Sequence, residues 1–367
     1  MQTTPLLRLA AEVKDGAKAK ANANAKAAPN PKAAQAARAV LAVVDRSIIP
    51  SYRALAEAAD AQEKAWTAFA ANRAAGNIES LKAAYNATAD AWARAQLVKT
   101  GPLSLFLRSE RFAYWPEARN VTQRMLDALI ASNDPKELEP QTLLRDSVAA
   151  QGLTALERLL YDGNNAAQLL KAPGKPGEWR TQIGQGIARN MSSIAKDVVS
   201  EWTAPDGVRA AIAANKSWKT IFADTPEAAS LLLTDLVSAF RLMHDVKLLA
   251  VMGASADVAR PRVAESWRSG RSQRNLKLNL EAAQAMTKVW AETVPAAHRT
   301  KIDTLYAAAL KAMDAAPADL GEAAADPTRR ALVETARAGI KAVQVDIAAV
   351  LPADLGITLG FNSLDGD

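Results

Sequence analysis

Gln151-Gly152-Leu153-Thr154-Ala155-Leu156-Glu157-Arg158-Leu159-Leu160-Tyr161-Asp162, residues 151–162, reads as a helix with one apolar face. Leu144 and Val148 before it and Leu153, Leu156 and Leu160 within it recur at helical spacing. Thr154 and Glu157 stand three positions apart, so they are neighbours on the helix surface, with Arg158 one turn from Thr154. Gly152 inside a helix costs about 1 kcal/mol against alanine, which points to a close helix approach or to a ligand. On spacing alone, Glu157 and Arg158 form an exposed face over a packed helix.

The same period runs outward along the chain. Helices are expected near 52–73, 78–98, 118–131, 141–161, 180–202, 226–252, 271–293, 296–314 and 328–350. Hydrophobic residues make up 49% of the 367 residues, much of that alanine, the strongest helix former, and aromatics only 5%. Long Val/Ile/Thr runs are missing, which argues against a large sheet. The fold class is therefore all-α, as two consecutive helical bundles. Residues 1–36 read as a flexible, basic Ala/Lys-rich segment in which Pro29 and Pro31 break any helix. The first bundle is assigned to 37–204 and the second to 205–367, divided at Ala204-Pro205-Asp206-Gly207, and Pro50 is expected to kink the first helix.

Several function classes drop out. No apolar stretch approaches the roughly 20 residues that cross a bilayer. The net charge of +6 is concentrated in the tail, since residues 1–40 carry seven basic side chains against Glu12 and Asp15. The body is close to neutral, so no nucleic-acid partner is expected. With no cysteine, thiolate metal sites and cysteine nucleophiles are excluded. The two histidines, His244 and His298, leave little material for a histidine metal site or a Ser-His-Asp triad. His244, beside an apolar helix face, is expected to be a satisfied polar contact. The terminal GFNSLDGD has half the acidic residues of a calcium loop and reads as a turn.

Two further stretches hold candidates. Residues 101–117 concentrate Phe106, Phe112, Tyr114 and Trp115 with Arg108, Glu110 and Arg111, and either roof a pocket or plug a bundle end. Residues 265–275 alternate hydroxyl and guanidinium groups (Ser266, Arg268, Ser269, Arg271, Ser272) just before a long helix. There Ser269 or Ser272 acts as an N-cap, or the helix start with Arg268 and Arg271 captures an anion. Glu157 suits a hard cation, whereas Arg111 with Arg268 suits an organic anion.

Taken in order, these stretches resemble the imelysin-like family, also catalogued as M75 peptidases. The resemblance runs through Ile49-Pro50-Ser51-Tyr52, Trp92, Gly101-Pro102, Arg111-Phe112 and Trp115-Pro116. It continues through residues 151–162, GIARN at 186–190, WRSGRSQRNLKLNLEAA at 267–283 and LGITLGFN at 355–362. It implies two all-α bundles with a cleft between them, and export to the periplasm or outer surface of a Gram-negative bacterium, often as a lipoprotein, with the signal peptide removed. It also implies a link to iron acquisition, since the iron-transport component EfeO carries a related domain. The family hallmark is GxHxxE, whose His and Glu are the proposed metal ligands or catalytic pair. Here it falls on Gly152, Thr154 and Glu157, with threonine in place of histidine.

The expectation is therefore a non-catalytic periplasmic binding or accessory protein with no catalytic residue. Thr154 and Glu157, with Gly152, would form one wall of the cleft, the segment with Arg111 and Trp115 the roof, and Ser266, Arg268, Ser269 and Ser272 the opposing wall. The resemblance implies iron or another divalent cation on Glu157, or a small anionic ligand, and a membrane-associated iron-uptake partner. The alternatives are a metal-dependent peptidase of the M75 type and a scaffold without a small ligand.

Overall fold

Pro31 opens the first helix, α1 (Pro31–Val43), of a computed structural model that describes residues 31–117, 119–145 and 147–360. A proline at the first helical position loses no hydrogen bond, because that N–H has no intrahelical partner. Pro31 therefore starts a helix where the sequence reading had it break one, and Ala36 is already buried. Residues 1–30 of the segment assigned as flexible lie outside the described residues, as does most of the terminal GFNSLDGD, from Phe361 onward. A π-helical turn, Val44–Ile48, joins α1 to α2 (Ile49–Ala71). Pro50 has no N–H to reach back to the Arg46 carbonyl, so the ladder is interrupted where the kink was expected.

Asn77 accepts from the Glu79 N–H and caps α3 (Ile78–Ala95). The helices α4 (Gly152–Tyr161), α5 (Lys175–Thr203), α6 (Thr225–Arg241), α7 (Ser272–Trp290), α8 (Ala296–Ala315) and α9 (Arg330–Leu355) follow. No strand occurs among the described residues, only one isolated bridge between Trp218 and Phe222. The architecture is all-α.

Packing follows the apolar faces. α2 lies against α3 and α5, and α4 against α3 and α5, around Trp66, Tyr85 and Trp202. A Cβ at Gly184 of α5 would stand inside contact distance of the Trp66 ring, so glycine lets α2 and α5 approach. The second group packs α8 on α9 and α6 on α9 around Phe240, Trp290, Tyr306 and Met313. α1 packs against α6 and α7, in the second half of the chain. The chain's first described helix thus completes the core of its second half, an arrangement that periodicity along the chain does not encode.

The two groups meet at α3 and α7, joined by Arg94–Glu281 at 2.9 Å and by Asp90, which pairs with both Arg271 and Arg274. A second tie is Asp235 of α6, whose carboxylate accepts from the backbone N–H groups of Lys99 (3.0 Å) and Thr100 (2.7 Å) after α3. Burial pushes this carboxyl up to about 6 from 3.8, against the pull of those donors. A carboxyl raised in the folded state binds its proton more tightly there than in the unfolded chain. Its contribution to stability is complete below its unfolded value and is lost as pH rises through about 6. Melting temperature measured against pH should decline across that window in the parent protein, and Asp235→Asn should flatten the decline. An unchanged profile in the variant would refute the assignment.

His244 lies in a π-helical turn after α6, its Nδ1 2.5 Å from Asp245 Oδ1 and its Nε2 2.9 Å from Arg337. It is the satisfied polar contact that the sequence suggested.

Candidate functional site

Gly152 begins α4 at φ +70°, and a Cβ there would lie 2.5 Å from the Arg111 carbonyl oxygen and closer still to that of Phe112. Of the two readings of this glycine, close backbone approach describes what it does. The short helix Arg108–Phe112 rests directly on the start of α4, and Phe112 stacks on Trp92 with ring centroids 4.8 Å apart. Arg111 is buried behind this contact and donates to the carbonyls of Phe106 and Leu143. Phe112 thus plugs the bundle while Trp115 turns towards the cleft, and Phe106 stands 68% exposed. The aromatic segment divides between the two roles proposed for it.

One turn into α4, the Thr154 hydroxyl donates to the Tyr114 carbonyl at 3.1 Å. Glu157 follows, only 3% exposed, and its Oε1 accepts from both the backbone N–H (2.9 Å) and the hydroxyl (2.6 Å) of Ser269. Arg158, 4% exposed, donates to Glu117, Asn120, Gln123 and Asp162. The Glu157–Arg158 face, expected to be exposed, is buried. Helical spacing puts these two residues on a face, but only the packing of Glu117, Asn120, Gln123 and Ser269 against that face removes it from water.

The two sides enclose a cavity of about 520 Å³. Trp115, Thr154, Glu157, Ser266 and Arg268 line it, so five of the expected residues share one site. Ser269 engages Glu157, while Gly152, Arg111 and Ser272 are not part of the lining. The capping expectation also fails. Arg271 occupies the cap position of α7 and no side chain caps it, while the Ser272 hydroxyl donates to the Ala318 carbonyl and accepts from the Leu320 N–H. Both serines are engaged by other elements, which leaves neither for the helix.

Sequence reasoning missed several lining residues: Tyr85, Glu117, Arg119, Arg262, Glu265 and Trp267. The i, i+4 pair of Arg158 and Asp162 was visible in the sequence, and so was the aromatic–arginine doublet Trp267-Arg268. Behind the lining, Lys247 donates to Glu265 at 2.7 Å and to Asn279 at 2.8 Å, with Asn275 donating to the same Glu265 oxygen. Burial lowers the Lys247 ammonium pKa, and Glu265 opposes that shift. The Glu157 carboxyl is raised by burial, against the Ser269 donors and the charges of Arg268 and Arg158. Burial likewise lifts the neighbouring Tyr85 hydroxyl, with the Glu157 charge adding to it.

These donors do not suit a resident divalent cation. Hard cations take six or more oxygens, and zinc takes three or four nitrogen, sulfur or oxygen ligands. Among the described residues no three His, Asp or Glu side chains converge as a metal-holding group. Glu157, the one expected ligand, already accepts two hydrogen bonds and lies in the field of two arginines.

The chain matches the family model for imelysin, peptidase M75, over residues 48–347. It belongs to the imelysin family. Its fold is similar to that of an imelysin-like protein from Psychrobacter arcticum 273-4, with a TM-score of 0.73 and 18% identity over 91% of this chain and 100% of that one. It is also similar to a candidate iron-regulated protein A precursor from Parabacteroides distasonis ATCC 8503, with a TM-score of 0.69 and 15% identity over 90% of this chain and 97% of that one. No curated protein matches the chain. At these identities the two structures establish the fold alone.

Proposed function

We propose that this imelysin-family protein is a non-catalytic binding or accessory protein of iron acquisition that takes its ligand into the cleft between α4 and the 262–269 segment. The observation that carries this reading is the closure of Glu157 by Ser269. The carboxylate that would serve as a metal ligand or general base is buried and doubly hydrogen-bonded across the cleft. Thr154 stands where the family motif has histidine, and its hydroxyl is engaged by a backbone carbonyl. The iron link is supported by the iron-regulated protein with the same fold. The word precursor in that protein's name supports an extracytoplasmic place, periplasmic or at the outer surface, and a membrane-associated uptake partner fits such a role. No described helix is long and apolar enough to cross a membrane.

The test is elemental mass spectrometry of the desalted protein after Fe and Zn loading, together with hydrolysis of a mixed peptide library, each repeated on Glu157→Gln. Substoichiometric metal and no hydrolysis in either protein are expected. Stoichiometric metal and turnover, both lost in the variant, would overturn the reading in favour of an M75 peptidase.

A further inference from the structure

The charge arrangement of the cleft identifies the chemistry of a ligand. Four carboxylates line it, and each is held by protein hydrogen-bond donors. Glu117 accepts from Arg158 and from the Thr122 N–H. Glu157 accepts from Ser269, Asp162 is shared by Arg158 and Arg268, and Glu265 is held by Lys247. Two of the four arginines, Arg158 and Arg268, are paired with these carboxylates, and two are not. Arg119 and Arg262 also line the cavity, are exposed, and have no ion pair among the described residues. Four arginines therefore face four carboxylates in the lining, but the carboxylates are held by protein donors while Arg119 and Arg262 are left to meet an incoming anion.

Arg268 adds a prearranged donor. Its Nε is held by Asp162 at 3.2 Å, and its guanidinium lies over the Trp267 ring, 4.3 Å from the centroid. Those two contacts fix the plane while both terminal amino groups have no protein acceptor among the described residues. A planar guanidinium held this way matches the two oxygens of a carboxylate. Arg262 lies near the same indole, at 5.7 Å. Trp92, Trp115, Leu153 and Val263 give the mixed wall an apolar portion, so the cavity offers a carbon body a surface that inorganic phosphate would not use.

We propose that the cleft binds an organic carboxylate, its carboxyl group on Arg268 and Arg262 and its body against Trp115 and Trp267. The inference rests on the binding-protein reading and names its ligand class. A carboxylate of this kind has two sources, a free organic acid or a hydroxy acid wrapped on ferric iron as an anionic chelate.

The probes are phthalate, benzoate, citrate, ferric citrate and inorganic phosphate, titrated into the full chain with calorimetry and indole fluorescence as readouts. At least one carboxylate should bind, more weakly at high salt, with phosphate silent. Arg268→Ala should weaken binding by about ten- to a hundredfold, the loss expected for a charged hydrogen-bonding pair. Arg262→Ala breaks no ion pair among the described residues, only a contact with the Trp267 ring, and should weaken binding in the same direction with its circular dichroism unchanged. Tighter binding of ferric citrate than of citrate identifies the chelate as the source, and the reverse identifies the free acid. A silent panel, equal binding of phosphate, or binding indifferent to both substitutions overturns the proposal. None of those results involves metal content or hydrolysis, so they leave the test of the binding-protein reading separate.

Discussion

Gly152→Ala should destabilise the protein by at least about 3 kcal/mol, combining a left-handed backbone at a residue with a Cβ and severe overlap with neighbouring backbone. The physical cause is unusually local. At φ +70° the new methyl carbon would lie 2.5 Å from the Arg111 carbonyl oxygen, and backbone atoms cannot give way as a flexible side chain can. The short helix Arg108–Phe112 must lift off α4, unseating the stack of Phe112 on Trp92 and the hydrogen bond from Thr154 to Tyr114. Urea denaturation of the two proteins is the measurement, with a large fall in the midpoint expected. A midpoint within experimental scatter of the parent would show that the contact relaxes cheaply and that glycine is not required there.

Lys247→Ala carries the second large effect, about 3–5 kcal/mol, because it leaves the Glu265 carboxylate buried without its cation. Lys247 donates to Glu265 and Asn279 and more distantly to Gln96 at 3.4 Å, and its ammonium stands 5.7 Å from the Trp115 ring centroid. Most of the loss comes from the stranded acid. Lys247→Met combined with Glu265→Gln should therefore recover most of the stability that Lys247→Ala loses. A double-mutant cycle on the two positions measures the coupling directly. Strictly additive effects would contradict the pairing. The double variant should also perturb the cleft, since Glu265 and Trp115 line it and the Lys247 ammonium lies by the Trp115 ring.

Much of the candidate site was legible as residue types in the sequence, but not as roles. Trp115, Thr154, Glu157, Ser266 and Arg268 line one cavity. Arg111 looked as good an anion ligand as Arg268, yet it turns to the Phe106 and Leu143 carbonyls behind the site. Arg262, which no motif marked, lines the cavity without an ion pair among the described residues. Ser272 looked like a helix cap and instead holds the start of the helix Leu320–Ala325. In each case the alternative partners were all compatible with the local sequence.

The helical class, the break between the helices expected near 52–73 and 78–98, and the amphipathic face of 151–162 were determined by the sequence alone. Those properties depend on side-chain period, capping and proline chemistry within a few residues. Pro31 misled because the same residue breaks a helix from inside and starts one at its first position. The tertiary structure alone decided that α1 packs with the second half of the chain, that Glu157 is closed by Ser269 from 112 residues away, and that Lys247 reaches Gln96 across 151. Hydrogen-bond partners are chosen by whichever buried groups the packed backbone brings within about 3 Å, and that distance is set by the whole fold rather than by any segment of it.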